Sequence, residues 1–219
     1  MDAPTFVAAL VAEMRELFAG LGEHGALEAE SQGRVEIVTL LRLALRSELE
    51  AAELAGAWLP TTPELDVKML FAGQCGDEMK HYRLISTRLA ELGAEPPAEG
   101  AADESYSPLY RYLQGLHSTA ERVAAGPFAR EAIAEVRNEQ FIAFCERSGD
   151  AATARLYRDI IQPEEIHHHH AGRVLLEKYC TDPESQRLAA AATRNTLAIA
   201  DELSLLARRT TGRYPIPAS

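Results

Sequence analysis

Residues 77–81 read Asp-Glu-Met-Lys-His and residues 164–168 read Glu-Glu-Ile-His-His. Aligned, each is acid-Glu-x-x-His. A spacing of three on an α-helix puts Glu78 with His81, and Glu165 with His168, on one face about a turn apart, where both side chains can reach a single metal ion. Such pairs also arise by chance on helices, so the flanking residues decide. Phe71, Gln74 and Ile85 surround the first pair at helical spacing, and Tyr157, Ile161 and Leu175 surround the second. Both pairs therefore fall on core-facing stripes. Carboxylates buried there cost several kcal/mol unless a cation compensates them.

Working outward, each motif is preceded by a helix with one glutamate in register. Glu48 lies on the stripe of Leu41, Leu45, Ala52 and Ala55, whereas Glu50 and Glu53 fall off it. Glu135 shares a face with Phe128, Ala132 and Ile142. Glu48 to Glu78 and Glu135 to Glu165 are each 30 residues, and turns are expected at Pro63 and Asp150, each 15 residues after its glutamate. Residues equidistant from the turn of an antiparallel pair lie side by side, so four carboxylates and two imidazoles are expected at one level. Two alternatives stay open. Glu139, one turn beyond Glu135, is nearly as well placed, and a register slipped by one would make Glu164 and His167 the ligands.

The rest of the 219-residue chain reads as helix. Periodicity and capping residues predict helices over roughly 3–21, 32–58, 62–92, 107–123, 126–145, 151–179 and 183–209. Thr62 is read as an N-cap with Pro63 at the first helical position, and Gly126-Pro127 as the start of the fifth helix. Residues 93–106 are a Pro/Gly-rich loop and the last ten an irregular tail. About 35 residues separate the two hairpins, enough for one crossover along a four-helix bundle. No segment resembles a domain linker, so residues 1–219 are expected to form one domain, its bundle about 34–179.

Composition narrows the function. No apolar run reaches 18 residues, as a membrane span needs, and the N-terminal residues lack the basic region of a signal peptide, so a cytoplasmic protein is expected. Asp and Glu outnumber Lys and Arg by 33 to 22, a net charge of −11 that disfavours a nucleic-acid partner. Cys75, Cys145 and Cys180 form no Cys-x-x-Cys pair, which argues against a disulfide framework, a zinc ribbon or an attached rubredoxin-type iron site. Cys75, Tyr82 and Tyr157 are read as packing residues near the motifs, and His117 as a surface residue.

One glutamate from each of two helices plus Glu-x-x-His from each of two others resembles the ligand set of the ferritin-like di-iron carboxylate superfamily. The resemblance covers roughly residues 34–179 and implies an all-α, ferritin-like four-helix bundle with one long crossover and additional N- and C-terminal helices. It implies two iron ions, or manganese in the same ligands. Glu48 and His81 would be terminal ligands of one, Glu135 and His168 of the other, and Glu78 and Glu165 would bridge. The acid before each bridging Glu is similar to the one that orients the opposite histidine in bacterial multicomponent monooxygenases, so Asp77 is expected to hold His168 and Glu164 to hold His81. The function that the resemblance implies is an oxygen-activating oxidoreductase of the hydroxylase or oxygenase type. It would take O2, a small organic substrate and electrons from an external donor, and form a homodimer. A ferritin or bacterioferritin-like ferroxidase, a tRNA-modifying hydroxylase and a non-enzymatic helical scaffold are the alternatives.

Overall fold

The computed structural model describes residues 1–24, 36–95 and 106–210, and they are helical throughout, with no strand among them. Helix α1 (Ala3–His24) is followed by α2 (Ile37–Trp58), a 3-10 turn (Leu59–Thr61) and α3 (Leu65–Glu91). After the crossover come α4 (Pro108–Gln114) and α5 (Thr119–Val123). The latter runs through a π-helical segment (Ala124–Arg130) into α6 (Glu131–Arg147). A tight turn leads to α7 (Ala151–Leu156), which continues through a second π segment (Tyr157–Ile161) into α8 (Gln162–Tyr179); α9 (Pro183–Thr210) follows. Part of the expected second helix (32–35), most of the 93–106 loop and the tail beyond 210 lie outside the described residues.

Local chemistry explains where these helices start, and it corrects two expectations. Thr62 is not an N-cap: its hydroxyl donates to the Trp58 carbonyl at 2.9 Å, closing the preceding turn, and Glu64 takes the cap position of α3. Gly126-Pro127 does not open a helix either. The start lies at Ser118, which forms a reciprocal capping box with Glu121, and Gly126 and Pro127 sit inside a continuous helix. Proline in an α-helix loses a hydrogen bond and crowds the carbonyl four residues back. The wider π turn accommodates it, and in the same segment the Phe128 carbonyl accepts from His169 Nδ1 at 2.7 Å. Ser107 caps α4 as expected, its Oγ accepting from Tyr110 N. Its own N–H and hydroxyl donate to Glu50 at 2.8 and 2.5 Å, which fastens the end of the crossover to α2.

Helices α2 and α3 pack as one pair, and α6 packs on α8 as another. α8 lies against α3, and α1 and α9 pack around the α8 and π-segment side. Close approach there needs glycine. A Cβ on Gly172 of α8 would stand 2.7 Å from Phe128 N, and one on Gly126 would stand 2.9 Å from the Trp58 ring.

The apolar core is divided in two. One cluster joins Phe6, Leu54, Trp58, Phe71, Val123, Phe128, Leu176 and Leu197. The other joins Leu41, Leu45, Ile85, Leu89, Phe141, Phe144, Tyr157 and Ile161. Along α2 the stripe passes from Leu45 through buried Glu48 to Leu54; along α3 it passes from Phe71 through Gln74, Glu78 and His81 to Ile85. The two clusters thus sandwich a polar layer, and no hydrophobic argument accounts for that layer.

Candidate metal centre

The polar layer contains Glu48 from α2, Glu78 and His81 from α3, Glu131 from the start of α6, and Glu165 and His168 from α8. All six are buried. Their ligand atoms form two overlapping groups of metal-binding size. Glu48, Glu78, His81 and Glu165 make one, and Glu78, Glu131, Glu165 and His168 the other. Glu78 and Glu165 belong to both.

The oxygens of these two shared carboxylates are divided between the histidines. Glu78 Oε2 lies 3.2 Å from His81 Nδ1, and its Oε1 lies 3.7 Å from His168 Nδ1. Glu165 Oε1 lies 3.7 Å from His81 Nδ1, and its Oε2 lies 3.7 Å from His168 Nδ1. Glu48 Oε2 closes the first group at 3.7 Å from His81 Nδ1. Both rings turn Nδ1 inward and Nε2 outward, and each Nε2 meets a carboxylate from the other motif helix. His81 Nε2 is 2.8 Å from Glu164 Oε2, and His168 Nε2 is 3.2 Å from Asp77 Oδ2. Lys80 stands between these outer acids, bonding Glu164 and, at 3.4 Å, Asp77.

Five of the six expected ligand positions therefore converge, and one does not. Glu135 is half-buried and belongs to neither group, and Glu139 is exposed. Glu131, fully buried and one turn earlier, fills the place. The offset between Glu135 and Glu131 follows from the position of the turn. Residues 131 and 165 are equidistant from position 148, and the chain reverses at Ser148 and Gly149, the latter at φ +80°. Asp150 is already the cap of the next helix, its side chain accepting from Thr153 N. Placing the mirror at Asp150 displaced the partner of Glu165 along α6 by about a turn. Gln162 Nε2 donates to the Glu135 carbonyl at 3.0 Å, which gives that residue's backbone a separate role. The slipped pair also separates: His167 is exposed, and Glu164 points to His81 from outside.

Two residues that the motif reading left without a role hold Glu131. Gln74 Nε2 donates to Glu131 Oε1 at 2.5 Å, and Arg130 Nη1 donates to the same oxygen at 2.8 Å. Arg130 also donates to the Ser47 carbonyl and hydroxyl, at 3.0 and 3.2 Å. Gln74 was visible as a polar residue in an apolar stripe; nothing in the local pattern marked Arg130.

Crowding these acids together has an electrostatic signature. Burial, and then the Glu78 charge, push the Glu48 carboxyl above the ordinary carboxylate range. Burial and the neighbouring Glu78, Glu131 and Glu48 charges do the same to Glu165. Burial opposes the His81 cation, but Glu48 and Glu78 outweigh it and push the ring up to about 10. Meanwhile Glu78 Oε1, Glu131 Oε2, Glu165 Oε2 and His168 Nδ1 are buried with no hydrogen-bond partner. Buried polar atoms are rarely left so. Four of them facing one centre, with three carboxylates and an imidazole in each group, fit a pair of divalent cations by number, charge and donor type.

Comparison with protein-family models, with curated proteins and with solved structures found no match to this chain.

Proposed function

We propose that this chain is a ferritin-like di-iron protein that activates dioxygen to oxidise a small organic substrate. The observation that carries this reading is the division of the Glu78 and Glu165 oxygens between His81 and His168. Two carboxylates shared by two imidazole-bearing groups are what a bridged pair of ions requires. On this reading Glu48 and His81 complete one ion, Glu131 and His168 the other, and Glu78 and Glu165 span both. Bound as two ferrous ions, the pair would supply two of the four electrons that dioxygen takes up, the organic substrate would supply the other two as it is oxidised, and an external donor would return two electrons to the metals for the next turnover.

The chain's own residues do the rest. Glu164 and Asp77 accept from the outer Nε2–H groups, which fixes each ring with its Nδ1 lone pair inward. Lys80 bonds both outer acids and offsets one of their two negative charges. The apolar clusters above and below keep water from the polar layer and strengthen every interaction in it. Among the described residues no helix is long and apolar enough to cross a membrane.

The test is to load the chain with ferrous iron without oxygen, admit oxygen, and follow its uptake against iron content. An oxidase or oxygenase should stop at two irons per chain and consume oxygen faster when an oxidisable small molecule is present. Continued loading into a mineral of hundreds of irons would assign the centre to iron storage instead.

A further inference from the structure

The two donor groups are equal in formal composition, each having three carboxylates and one histidine. Their surroundings are not equal. Arg130 Nη1 lies 2.8 Å from Glu131 Oε1 and 4.0 Å from Glu78 Oε1, the Glu78 oxygen that faces His168. Its guanidinium is largely withdrawn from solvent, with the side chain 13% exposed. It is fixed by Ser47 on the neighbouring helix. Glu48 makes its ion-pair contact with the His81 ring, at 3.7 Å, and its charge acts on Arg130 less than those of Glu131 and Glu78 do. Lys80 does not break the balance, because it reaches the acids behind both histidines.

We infer that the two metal positions are inequivalent and fill in order, the Glu48–His81 position first, because the Arg130 guanidinium stands at the edge of the Glu131–His168 position. This rests on the metal reading above and adds an order to it. A fixed positive charge beside one donor group repels an arriving dication, and partial burial keeps solvent from screening that repulsion. Arg130 and Gln74 also occupy Glu131 Oε1, so Glu131 has only Oε2 left to offer. Arg130 is thus a positioning residue: it holds the Glu131 carboxylate in place and lowers the affinity of the position that Glu131 serves.

The experiment is an anaerobic Mn(II) titration of the full chain, followed by calorimetry and by electron paramagnetic resonance. The wild type should bind two ions in separate steps. The signal of isolated Mn(II) should rise to one equivalent and fall as the second ion couples to the first. Glu131→Ala should keep the tight step and lose the weak one, and Glu48→Ala should do the reverse. Arg130→Gln should tighten the weak step by about tenfold or more while leaving the tight step unchanged. If Arg130→Gln loses its helical circular dichroism, the two single-position variants decide the matter alone. Equal steps in the wild type, loss of the tight step in Glu131→Ala, or an unchanged gap in folded Arg130→Gln would each overturn the inference while leaving a metal centre in place. A folded wild type that binds no Mn(II) or Fe(II) would overturn the metal centre itself.

Discussion

Glu78 and Glu165 sit on different helices, α3 and α8, yet each gives one oxygen to His81 and the other to His168. Two acids presenting the same pair of contacts from opposite sides make a four-sided frame. Removing either acid opens both donor groups at once. Glu78→Ala and Glu165→Ala should therefore abolish binding of both ions, and Glu48→Ala and Glu131→Ala should each abolish one. Elemental analysis of protein purified without chelators checks this. Glu135→Ala and Glu139→Ala should retain two ions per chain; a loss in Glu135→Ala with none in Glu131→Ala would show that the centre uses the later turn of α6.

The crossed hydrogen bonds give a separate expectation. Asp77→Asn should weaken the ion bound by His168, and Glu164→Gln the ion bound by His81, by about 10–100-fold each. Each substitution lies on the helix opposite to the histidine it affects. Calorimetry of each variant in a Glu48→Ala or Glu131→Ala background separates the two. If either substitution weakened the ion next to it on its own helix, the crossing would not operate in solution.

Much of this layout was legible in the sequence, for identifiable reasons. Two Glu-x-x-His motifs with apolar neighbours at helical spacing fix their own face, because i and i+3 share a side of any α-helix. Glu48 could be placed because α2 is regular and its turn lies midway to Glu78. Glu131 could not be placed, because its partner depended on the apex of a hairpin, and an apex misplaced by a residue or two moves the facing position by twice as much. Gly126-Pro127 misled for a related reason. Proline ordinarily begins a helix, and here a π turn, braced by the His169 ring, carries it through the middle of one.

The close approach of α8 to that π turn makes Gly172 sensitive. Gly172→Ala would force its methyl against the Phe128 and Pro127 backbone, 2.7–2.8 Å away, and neither atom can move aside without shifting the helix that carries Glu131. Destabilisation of about 1–3 kcal/mol is expected. Gly73, on exposed α3 surface with nothing within 4 Å of a built Cβ, is the control. Gly73→Ala should be stabilising by about 0.4–1 kcal/mol through the unfolded chain. Thermal unfolding of both variants measures the contrast, and equal effects would sink the packing argument.

Asp150 joins the second hairpin to α3. It caps α7 through Thr153 N and pairs with Arg88 at 2.9 Å, while Arg88 also donates to Thr153 Oγ1 at 2.8 Å. Burial opposes its charge, but the Thr153 and Arg88 hydrogen bonds outweigh this and lower its pKa. A depressed carboxylate stabilises the fold above its unfolded pKa and ceases to do so as pH falls through its folded one. Asp150→Ala should therefore cost about 1–2 kcal/mol at neutral pH, and the difference from wild type should shrink below about pH 4. Denaturant unfolding at both pH values tests the sign.

Protein stripped of metal should behave oppositely at its centre. Glu48 and Glu165 have pKa values raised by burial and by their acidic neighbours, so the folded chain holds their protons more tightly than the unfolded chain does. His81 is raised to about 10 by Glu48 and Glu78 against the cost of burial. For all three the folded state binds the extra proton, and stability is lost as that proton leaves. The stripped protein should therefore melt at progressively lower temperature as pH rises from about 6.5 toward 10. Glu78 runs the other way: hydrogen bonds from His81 and Glu48 and the Arg130 charge overcome burial and lower its pKa, so its contribution is lost in acid, outside that window. Bound cations replace the protons, and binding releases them, so metal affinity should climb across the range where the stripped protein weakens. The gap in melting temperature between loaded and stripped protein should consequently widen with pH. A gap that stayed constant from about pH 6.5 to 9 would mean that protons and metal do not compete for these carboxylates and this ring.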